Sequence, residues 1–157
     1  MPAFYLPDHA ATERVGAALA STLGGGMLVT LRGELAAGKT TLVRGMLRAL
    51  GWIGSVKSPT YTLVEHYFIS RLYFYHFDFY RFADSEEWET AGFADYFRDD
   101  AVCLVEWPEH VSSLLPEADV ELVLAHRASH AGRDLSIHPA TPAGERCRSA
   151  IAAVLET

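Results

Sequence analysis

The sequence predicts an α/β fold with a mixed central sheet flanked by helices, and three observations support this. A strand-like apolar run at 27–31 leads through a glycine-containing loop into a helical pattern, the order typical of a phosphate-binding loop (P-loop). Two runs rich in β-branched and aromatic residues, 60–68 and 72–80, predict an antiparallel hairpin after the P-loop helix. Half of the 157 residues are apolar, so we expect a single domain over 1–157.

The chain ahead of the loop predicts a short strand and a helix. Residues 3–6 have a strand-like pattern, and Asp8 is placed to cap the following helix, which ends at the glycines 24–26. The helix after the loop stops at Gly51. The apolar faces are Ala11, Val15, Ala18 and Leu19 in the first helix, and Leu42, Val43, Met46, Leu47 and Leu50 in the second.

The hairpin turns at 70–71, and its antiparallel pairing makes the sheet mixed. Asp84 and Glu87 resemble a capping box for a short helix at 86–91. The remaining predicted elements are a buried strand at 101–105, strands at 120–125 and 135–138 that pair around 131–132, and a last helix capped by Thr141 and Pro142. The apolar face of that helix is Cys147, Ile151, Val154 and Leu155.

Residues 33–41 fit the pattern G-x-x-x-x-G-K-T and predict a P-loop nucleotide-binding fold. The glycines allow backbone N–H groups to point at a phosphate, and the positive end of the following helix adds to that attraction. Lys39 is predicted to reach the β- and γ-phosphates, and the Thr40 hydroxyl to bind Mg²⁺. The predicted ATP-binding loop consists of Gly33, Glu34, Leu35, Ala36, Ala37, Gly38, Lys39, Thr40 and Thr41.

Composition excludes several classes of function. A net charge of −7 with only two lysines, Lys39 and Lys57, argues against autonomous nucleic-acid binding. Asparagine is absent, so no guanine-reading N-K-x-D loop exists and we expect ATP or ADP to be preferred over GTP. The two cysteines are expected in the core, and the scattered histidines do not predict a zinc site. The chain has no apolar run of ~20 residues and no signal-like start, so we expect no membrane association and a cytoplasmic location.

Two acidic residues at predicted strand ends are candidates for chemistry. Glu106 follows the strand at 101–105, where P-loop proteins place an acid that holds Mg²⁺; the alternative is a solvated strand end. Asp78 lies among aromatic residues, where an unpartnered carboxylate is costly to bury. It could organise the attacking water or the Mg²⁺ shell, or it could pair with Arg81 or His76 for stability alone.

The hydroxyl-rich stretch 58–62 precedes the predicted hairpin. Its place after the P-loop helix matches the segment that senses the γ-phosphate in switch-type hydrolases, and Ser58, Pro59 and Thr60 are its candidate residues. The alternative is an ordinary Ser-Pro turn that leads into a strand.

Four segments, 33–41, 55–65, 76–81 and 104–109, together resemble the TsaE (YjeE) family of bacterial ATPases, and the match runs from Thr12 to Arg133. The resemblance implies an ATP-binding and ATP-hydrolysing accessory role in making threonylcarbamoyladenosine (t6A), the modified adenosine beside the anticodon in tRNA. It also implies that the protein works with TsaD and TsaB, meets tRNA only through that complex, and does not itself transfer the carbamoyl group.

The resemblance assigns roles to individual residues. It implies that the loop binds ATP and that Thr40 and Glu106 hold Mg²⁺. It implies that Asp78 is needed for hydrolysis, with Lys39 neutralising phosphate charge, and that Trp107, Thr12 and Arg133 lie near the nucleotide. One residue departs from the family pattern, because Ala36 stands where the loop usually has glycine. Its β-carbon is tolerable there only if the backbone is not left-handed.

Two rival functions fit the P-loop alone. A small-molecule kinase shares the loop and the size, although the chain lacks an arginine-rich lid and its hairpin occupies the usual place of substrate-binding helices. A nucleotide-gated binding module would use ATP only to control assembly. The aromatic residues of the hairpin are either a docking surface for a partner or part of a wide core; they are Tyr67, Phe68, Tyr73, Phe74 and Tyr75.

Overall fold

A computed structural model describes residues 3–127 and 131–156 of the chain. The strands are β1 (Phe4–Leu6), β2 (Leu28–Arg32), β3 (Val64–Ile69), β4 (Leu72–Asp78), β5 (Ala101–Glu106), β6 (Val120–His126) and β7 (Arg133–Pro139). The α-helices are α1 (His9–Ala20), α2 (Lys39–Ala49), α3 (Ser85–Thr90) and α4 (Pro142–Leu155), and two short 3₁₀ helices cover Phe93–Tyr96 and Pro108–His110.

The strands form one seven-stranded sheet in the order β1-β7-β6-β2-β5-β4-β3. The four inner strands, β6, β2, β5 and β4, run parallel to one another. The outer strands β7, β1 and β3 pair antiparallel, and β3 with β4 forms the predicted hairpin. The predicted mixed sheet is therefore confirmed, and β2 lies at its centre with the P-loop at its carboxyl end.

Local capping agrees with the sequence. The side chains of Asp8, Asp84 and Thr141 accept hydrogen bonds from backbone N–H groups three residues later, at 2.8, 3.1 and 3.1 Å. These bonds satisfy N–H groups that have no partner within the helix. The predicted starts of α1, α3 and α4 are confirmed within one residue.

Both predicted hairpin strands were too long at the open end of the hairpin, opposite the turn. β3 begins at Val64 rather than at residue 60, because the Leu63 N–H closes a turn onto the Pro59 carbonyl at 2.8 Å and Leu63 has a φ of 70°. β4 ends at Asp78 rather than at residue 80, because the Asp78 side chain accepts the Tyr80 N–H at 2.9 Å and turns the chain.

Two different cores cover the two faces of the sheet. Helices α1, α2 and α4 bury a mainly aliphatic cluster that includes Leu31, Leu42 and Leu122. On the other face, α3 and the first 3₁₀ helix bury an aromatic cluster around Phe77 and Phe79. Cys103 and Cys147 are buried and unpaired, as predicted. No helix of the described residues is long and apolar enough to cross a membrane.

The aromatic residues of the hairpin divide between core and surface. Tyr67, Phe74 and Tyr75 are buried, so for these three the core alternative holds and they cannot belong to a docking surface. They are buried because the hairpin contributes to both cores of the sheet. Phe68 and Tyr73 remain exposed and pack against each other with ring centroids 4.7 Å apart.

Close contact between α1 and α2 sets the position of α1 beside the P-loop. A β-carbon at Gly16 would lie 2.1 Å from the Leu42 carbonyl oxygen, and one at Gly45 would lie 2.3 Å from that of Glu13. Only glycine permits this approach of two helix backbones. As a result Thr12 lies next to Gly38, where a β-carbon would be 3.6 Å from the Thr12 methyl group.

Candidate functional site

The P-loop connects the carboxyl end of β2 to the first residue of α2. Gly38 immediately precedes α2 and has a φ of 106°, a left-handed conformation that glycine adopts without a steric penalty. Ala36 is also left-handed, with a φ of 62°. The backbone at Ala36 is thus left-handed, and its β-carbon is strained. For an L-residue this conformation costs about 1–2 kcal/mol of conformational free energy.

Lys39 is the first residue of α2 and its side chain folds back over the loop. It is 4% exposed, its Nζ donates a hydrogen bond to the Gly33 carbonyl, and it lies 4.1 Å from the centre of the Trp107 ring. Burial lowers the pKa of Lys39, whereas the negative charges of Glu106, Asp78 and Glu109 act in the opposite direction. The ammonium group therefore faces acidic side chains inside a largely enclosed site.

Glu106, the last residue of β5, is 3% exposed and is held by rigid elements. Its Oε2 accepts a hydrogen bond from the Thr40 hydroxyl at 3.3 Å and lies 2.6 Å from His76 Nε2. A carboxylate can only accept, so His76 Nε2 carries the proton of this bond. The other ring nitrogen, Nδ1, is buried with no hydrogen-bond partner among the described residues. Sequence reasoning considered His76 only as a partner of Asp78.

Asp78 ends β4 and lies beside Glu106, its Cα partner in the neighbouring strand. It is 4% exposed and accepts hydrogen bonds from the Tyr80 N–H at 2.9 Å and the Thr60 hydroxyl at 3.3 Å. Burial raises the pKa of Asp78; the charge of Glu106 also raises it, and these two hydrogen bonds and His76 oppose the rise. The alternative salt bridge is wrong for both partners: His76 is bonded to Glu106, and Arg81 lies over the Tyr61 ring at 4.7 Å.

The switch-like segment, Ser58 to Thr60, reaches the site through Asp78. The hydroxyl groups of Ser58 and Thr60 are 2.7 Å apart, and Thr60 donates onward to Asp78 Oδ2. Neither Ser58 nor Thr60 lines the cavity described next. The segment therefore contacts the site by one chain of hydrogen bonds and not by enclosing it.

A cavity of about 250 Å³ extends along the P-loop and brings most of the predicted site residues together. Residues 35–41, Thr12, Asp78, Glu106, Trp107 and Arg133 line it, whereas Gly33 and Glu34 do not. Sequence reasoning missed five residues of its lining: Leu6, Asp8, His9, Ala131 and Gly132. Leu6, Asp8, Ala131 and Gly132 were predicted only as parts of a strand, a helix cap and a turn, and no pattern marked any of the five as a site residue.

The side chains of the cavity include donors that suit a divalent cation. The Thr40 hydroxyl and the carboxylates of Glu106 and Asp78 are oxygen ligands, the kind that Mg²⁺ prefers. Lys39 lines the same cavity, close enough for the charges of Glu106 and Asp78 to act on its ammonium group. The residues present therefore fit Mg²⁺.

A P-loop at the carboxyl end of a central parallel strand, with acidic residues ending the next two strands, defines a protein of the P-loop class. The sequence matches the family described as threonylcarbamoyl adenosine biosynthesis protein TsaE over residues 6–135. The chain belongs to the TsaE family of tRNA threonylcarbamoyladenosine biosynthesis proteins. This assignment confirms the family resemblance and favours it over a small-molecule kinase.

Individual relatives support the assignment. The tRNA threonylcarbamoyladenosine biosynthesis protein TsaE of Haemophilus influenzae is 50% identical over 121 residues, which are 74% of this chain and 77% of that protein. The protein of the same name from Treponema pallidum is 41% identical over 113 residues, or 72% and 83% of the two chains. The crystal structure of Bacillus subtilis YdiB has a TM-score of 0.80 at 26% identity, and the similarity covers 98% of this chain and 95% of that one.

Proposed function

We propose that the chain, as one P-loop domain, is a Mg²⁺-dependent ATPase that serves t6A modification together with TsaD and TsaB. The observation that carries this proposal is the meeting of two buried carboxylates, Asp78 and Glu106, with Lys39 and Thr40 in one cavity beside the P-loop. Buried charges of both signs without full pairing are costly, and such groups are typical of sites built for a charged ligand.

In this proposal the P-loop backbone holds the phosphates of ATP and Lys39 neutralises charge on them. Thr40 and Glu106 would hold Mg²⁺, and the ion would supply positive charge against the phosphates. Thr12 and Trp107 line the cavity and would flank the nucleotide there.

Hydrolysis then depends on Asp78. Its carboxylate orients a water molecule and accepts a proton from it, while the water oxygen forms a bond to the γ-phosphorus. The bond from that phosphorus to the bridging oxygen breaks, and the products are ADP and phosphate. The raised pKa of Asp78 brings it closer to the range in which a carboxylate can accept a proton. The chain has no glutamine, the residue that orients the water in many switch-type hydrolases, so Asp78 is proposed for that role.

We expect slow hydrolysis by the isolated chain, because Arg133, the one arginine that lines the cavity among the described residues, has most of its N–H groups bonded to backbone carbonyls and not directed at a phosphate. The link from Thr60 to Asp78 supports coupling between the γ-phosphate and the segment before the hairpin. Partners that contact this segment would then change the rate of hydrolysis, and ATP would strengthen the complex relative to ADP.

The protein is proposed to act on tRNA only through its partners. Of its two lysines, Lys39 is buried in the site, and the net charge is −7. The excess of acidic over basic residues therefore argues against an extended cationic surface for tRNA. Action in the cytoplasm agrees with two buried cysteines that remain unpaired.

The deciding experiment is a reconstitution of t6A formation with TsaD and TsaB, followed over several turnovers with this protein, without it, and with Lys39→Ala. Lys57→Ala is the matched control, because it removes the other lysine at an exposed position away from the cavity. We expect modification to stall without the protein or with Lys39→Ala, and to proceed with Lys57→Ala. Unchanged turnover without the protein would overturn the proposal, as would tight, salt-sensitive binding of the isolated chain to tRNA.

Nucleotide choice is tested separately by calorimetric titration. ATP or ADP should bind more tightly than GTP or GDP, since the chain contains no asparagine for a guanine-reading loop. Equal affinities for the adenine and guanine nucleotides would contradict the choice of ATP while leaving the phosphate site intact.

A further inference from the structure

Arg133, the first residue of β7, contacts the P-loop from outside the P-loop unit. Its Nε donates to the Ala37 carbonyl at 3.2 Å, and its Nη2 donates to the Ala36 carbonyl at 3.1 Å. On its other side, Nη1 donates to the carbonyls of Ala131 and Gly132 at 2.8 and 3.2 Å. The guanidinium therefore joins two backbone segments that are distant in sequence.

The four hydrogen bonds leave little of the guanidinium for any other acceptor. An arginine side chain has five N–H donors, and here one is used on Nε, two on Nη1 and one on Nη2. Only one N–H group remains for a ligand. A bidentate grip on a phosphate, the usual way in which arginine binds one, is therefore incompatible with the observed contacts.

The part of the loop that Arg133 contacts is also the part with an unfavourable backbone. Ala36 is left-handed, with a φ of 62°, and its β-carbon makes that conformation less stable than the right-handed one. The Ala36 carbonyl is one of the two that accept from Arg133. A second contact from the same edge of the sheet is available at Leu35, whose carbonyl lies 3.4 Å from His126 Nε2.

The direction of these carbonyls fixes the direction of the neighbouring amides. In a planar trans peptide the C=O of one residue and the N–H of the next point in opposite directions. Carbonyls of Ala36 and Ala37 held toward Arg133 therefore turn the N–H groups of Ala37 and Gly38 away from it; that of Ala37 donates to the Glu34 carbonyl at 3.1 Å within the loop. Both of these residues line the cavity.

We propose that Arg133 is a positioning residue that braces the P-loop by holding Ala36 in its left-handed conformation, and that it is not a phosphate ligand. This rests on the proposed nucleotide binding by the loop. The brace links the antiparallel edge of the sheet, β7 with β1 and β6, to the geometry of the site. Charge alone cannot do this, because the contacts need donors spaced across two successive peptide groups.

The test compares four variants with wild type by calorimetric titration of ADP and of ATP with Mg²⁺: Arg133→Ala, Arg133→Lys, Ala36→Gly, and Arg133→Ala combined with Ala36→Gly. Arg127→Ala is the matched control, because Arg127 lies near the same strand ends, contacts Asp134 and Tyr5, and does not line the cavity. Glycine adopts the left-handed conformation at position 36 without a steric penalty, so nucleotide binding by Ala36→Gly should depend less on Arg133.

We expect Arg133→Ala to weaken the binding of both nucleotides by about tenfold, which is roughly the contribution of one charge-assisted hydrogen bond. Arg133→Lys should behave like Arg133→Ala, and the loss should be the same for ADP and ATP. The double variant should bind each nucleotide only about twofold more weakly than Ala36→Gly does. A phosphate ligand predicts the opposite: a loss that is larger for ATP than for ADP, near-normal binding by Arg133→Lys, and no rescue by Ala36→Gly. That result would overturn the brace.

A readout without ligand separates this proposal from the proposed function. The Ala37 N–H donates to the Glu34 carbonyl at 3.1 Å, so its hydrogen exchange reports on the loop alone. Arg133→Ala should speed this exchange, Ala36→Gly in the double variant should slow it again, and Arg127→Ala should leave it unchanged. If wild type bound no nucleotide, the proposed function would fail, and unchanged exchange in Arg133→Ala would separately overturn the brace.

Discussion

Glu106 and Asp78 are neighbours at the carboxyl ends of two inner strands and are equally buried. They are nevertheless held by different parts of the chain. Glu106 is bonded to His76 in the adjacent strand and to Thr40 in α2, both of them regular elements. Asp78 is bonded to the Tyr80 N–H just beyond its own strand and to Thr60 in a connecting segment. One acid is therefore attached to the scaffold and the other to a loop.

This difference suggests a division of labour. A carboxylate that holds a metal ion needs a constant position relative to the P-loop, which two regular elements provide. A carboxylate that acts on the attacking water can be adjusted by a segment that responds to the γ-phosphate. Substitutions at the two acids and at the residues that hold them test whether these roles are separate.

The largest effect is expected from Asp78→Asn. The amide keeps an oxygen for the Tyr80 N–H but cannot accept a proton, so hydrolysis should fall by about 10²-fold or more while ATP affinity stays near wild type. Single-turnover hydrolysis and calorimetric titration measure the two quantities separately. Equal loss of binding in Asp78→Asn and Glu106→Gln would show that the two acids do not have separate roles.

Glu106→Gln should change the Mg²⁺ dependence of binding. A neutral amide replaces a charged oxygen ligand, so the gain in ATP affinity on adding Mg²⁺ should shrink by about tenfold or more. Titrations of ATP with Mg²⁺ and with a chelator give this ratio. Asp78→Asn is the control, since under the proposed division it should leave the ratio close to that of wild type.

The fold was predictable to a large extent because its signals are local. The P-loop pattern, the apolar run at 101–105 and the capping residues each depend on a few adjacent residues. The ends of the hairpin were not predictable in the same way. Residues 60–63 have side chains with high β-propensity, which favours a strand. The Leu63 N–H instead donates to the Pro59 carbonyl and closes a turn.

The site was predictable where one motif carries it and not where distant segments meet. Lys39, Thr40, Asp78 and Glu106 follow from patterns near strand ends, and the structure brings all four to one cavity. The bond between His76 and Glu106 joins positions 30 apart in sequence and depends on the register of β4 with β5. The contacts of Arg133 with the loop likewise depend on strand order, which no local pattern contains.

Thr60→Val tests the attachment of Asp78 to the connecting segment. Valine keeps the shape of threonine but removes the hydroxyl that donates to Asp78, so hydrolysis should fall by roughly fivefold, about the value of one hydrogen bond. The preference of the partner complex for ATP over ADP should weaken at the same time. Ser58→Ala, which removes the next hydroxyl along, should have a smaller effect. If both variants hydrolysed ATP like wild type, the loop attachment would have no role in hydrolysis.

The smallest effect concerns the stability of the ligand-free protein and its dependence on pH. Burial raises the pKa of Asp78, so the folded protein binds this proton more tightly than the unfolded chain does. The stability that the group contributes is therefore full below its unfolded pKa, about 3.9, and is lost as the pH rises through the higher folded pKa. At pH 7 the ionised Asp78 lowers stability.

Asp78→Asn removes that charge and should have a higher melting temperature than wild type at pH 7. The difference should close as the pH falls through the folded pKa, because wild type then regains its proton and becomes as neutral as the variant. Thermal melts of both proteins from pH 7 to pH 4 measure this. If the hydrogen bonds from Thr60 and the Tyr80 N–H instead made the ionised Asp78 stabilising, the variant would melt below wild type at pH 7. The sign of the difference in melting temperature at pH 7 therefore shows whether the ionised Asp78 stabilises or destabilises the folded protein.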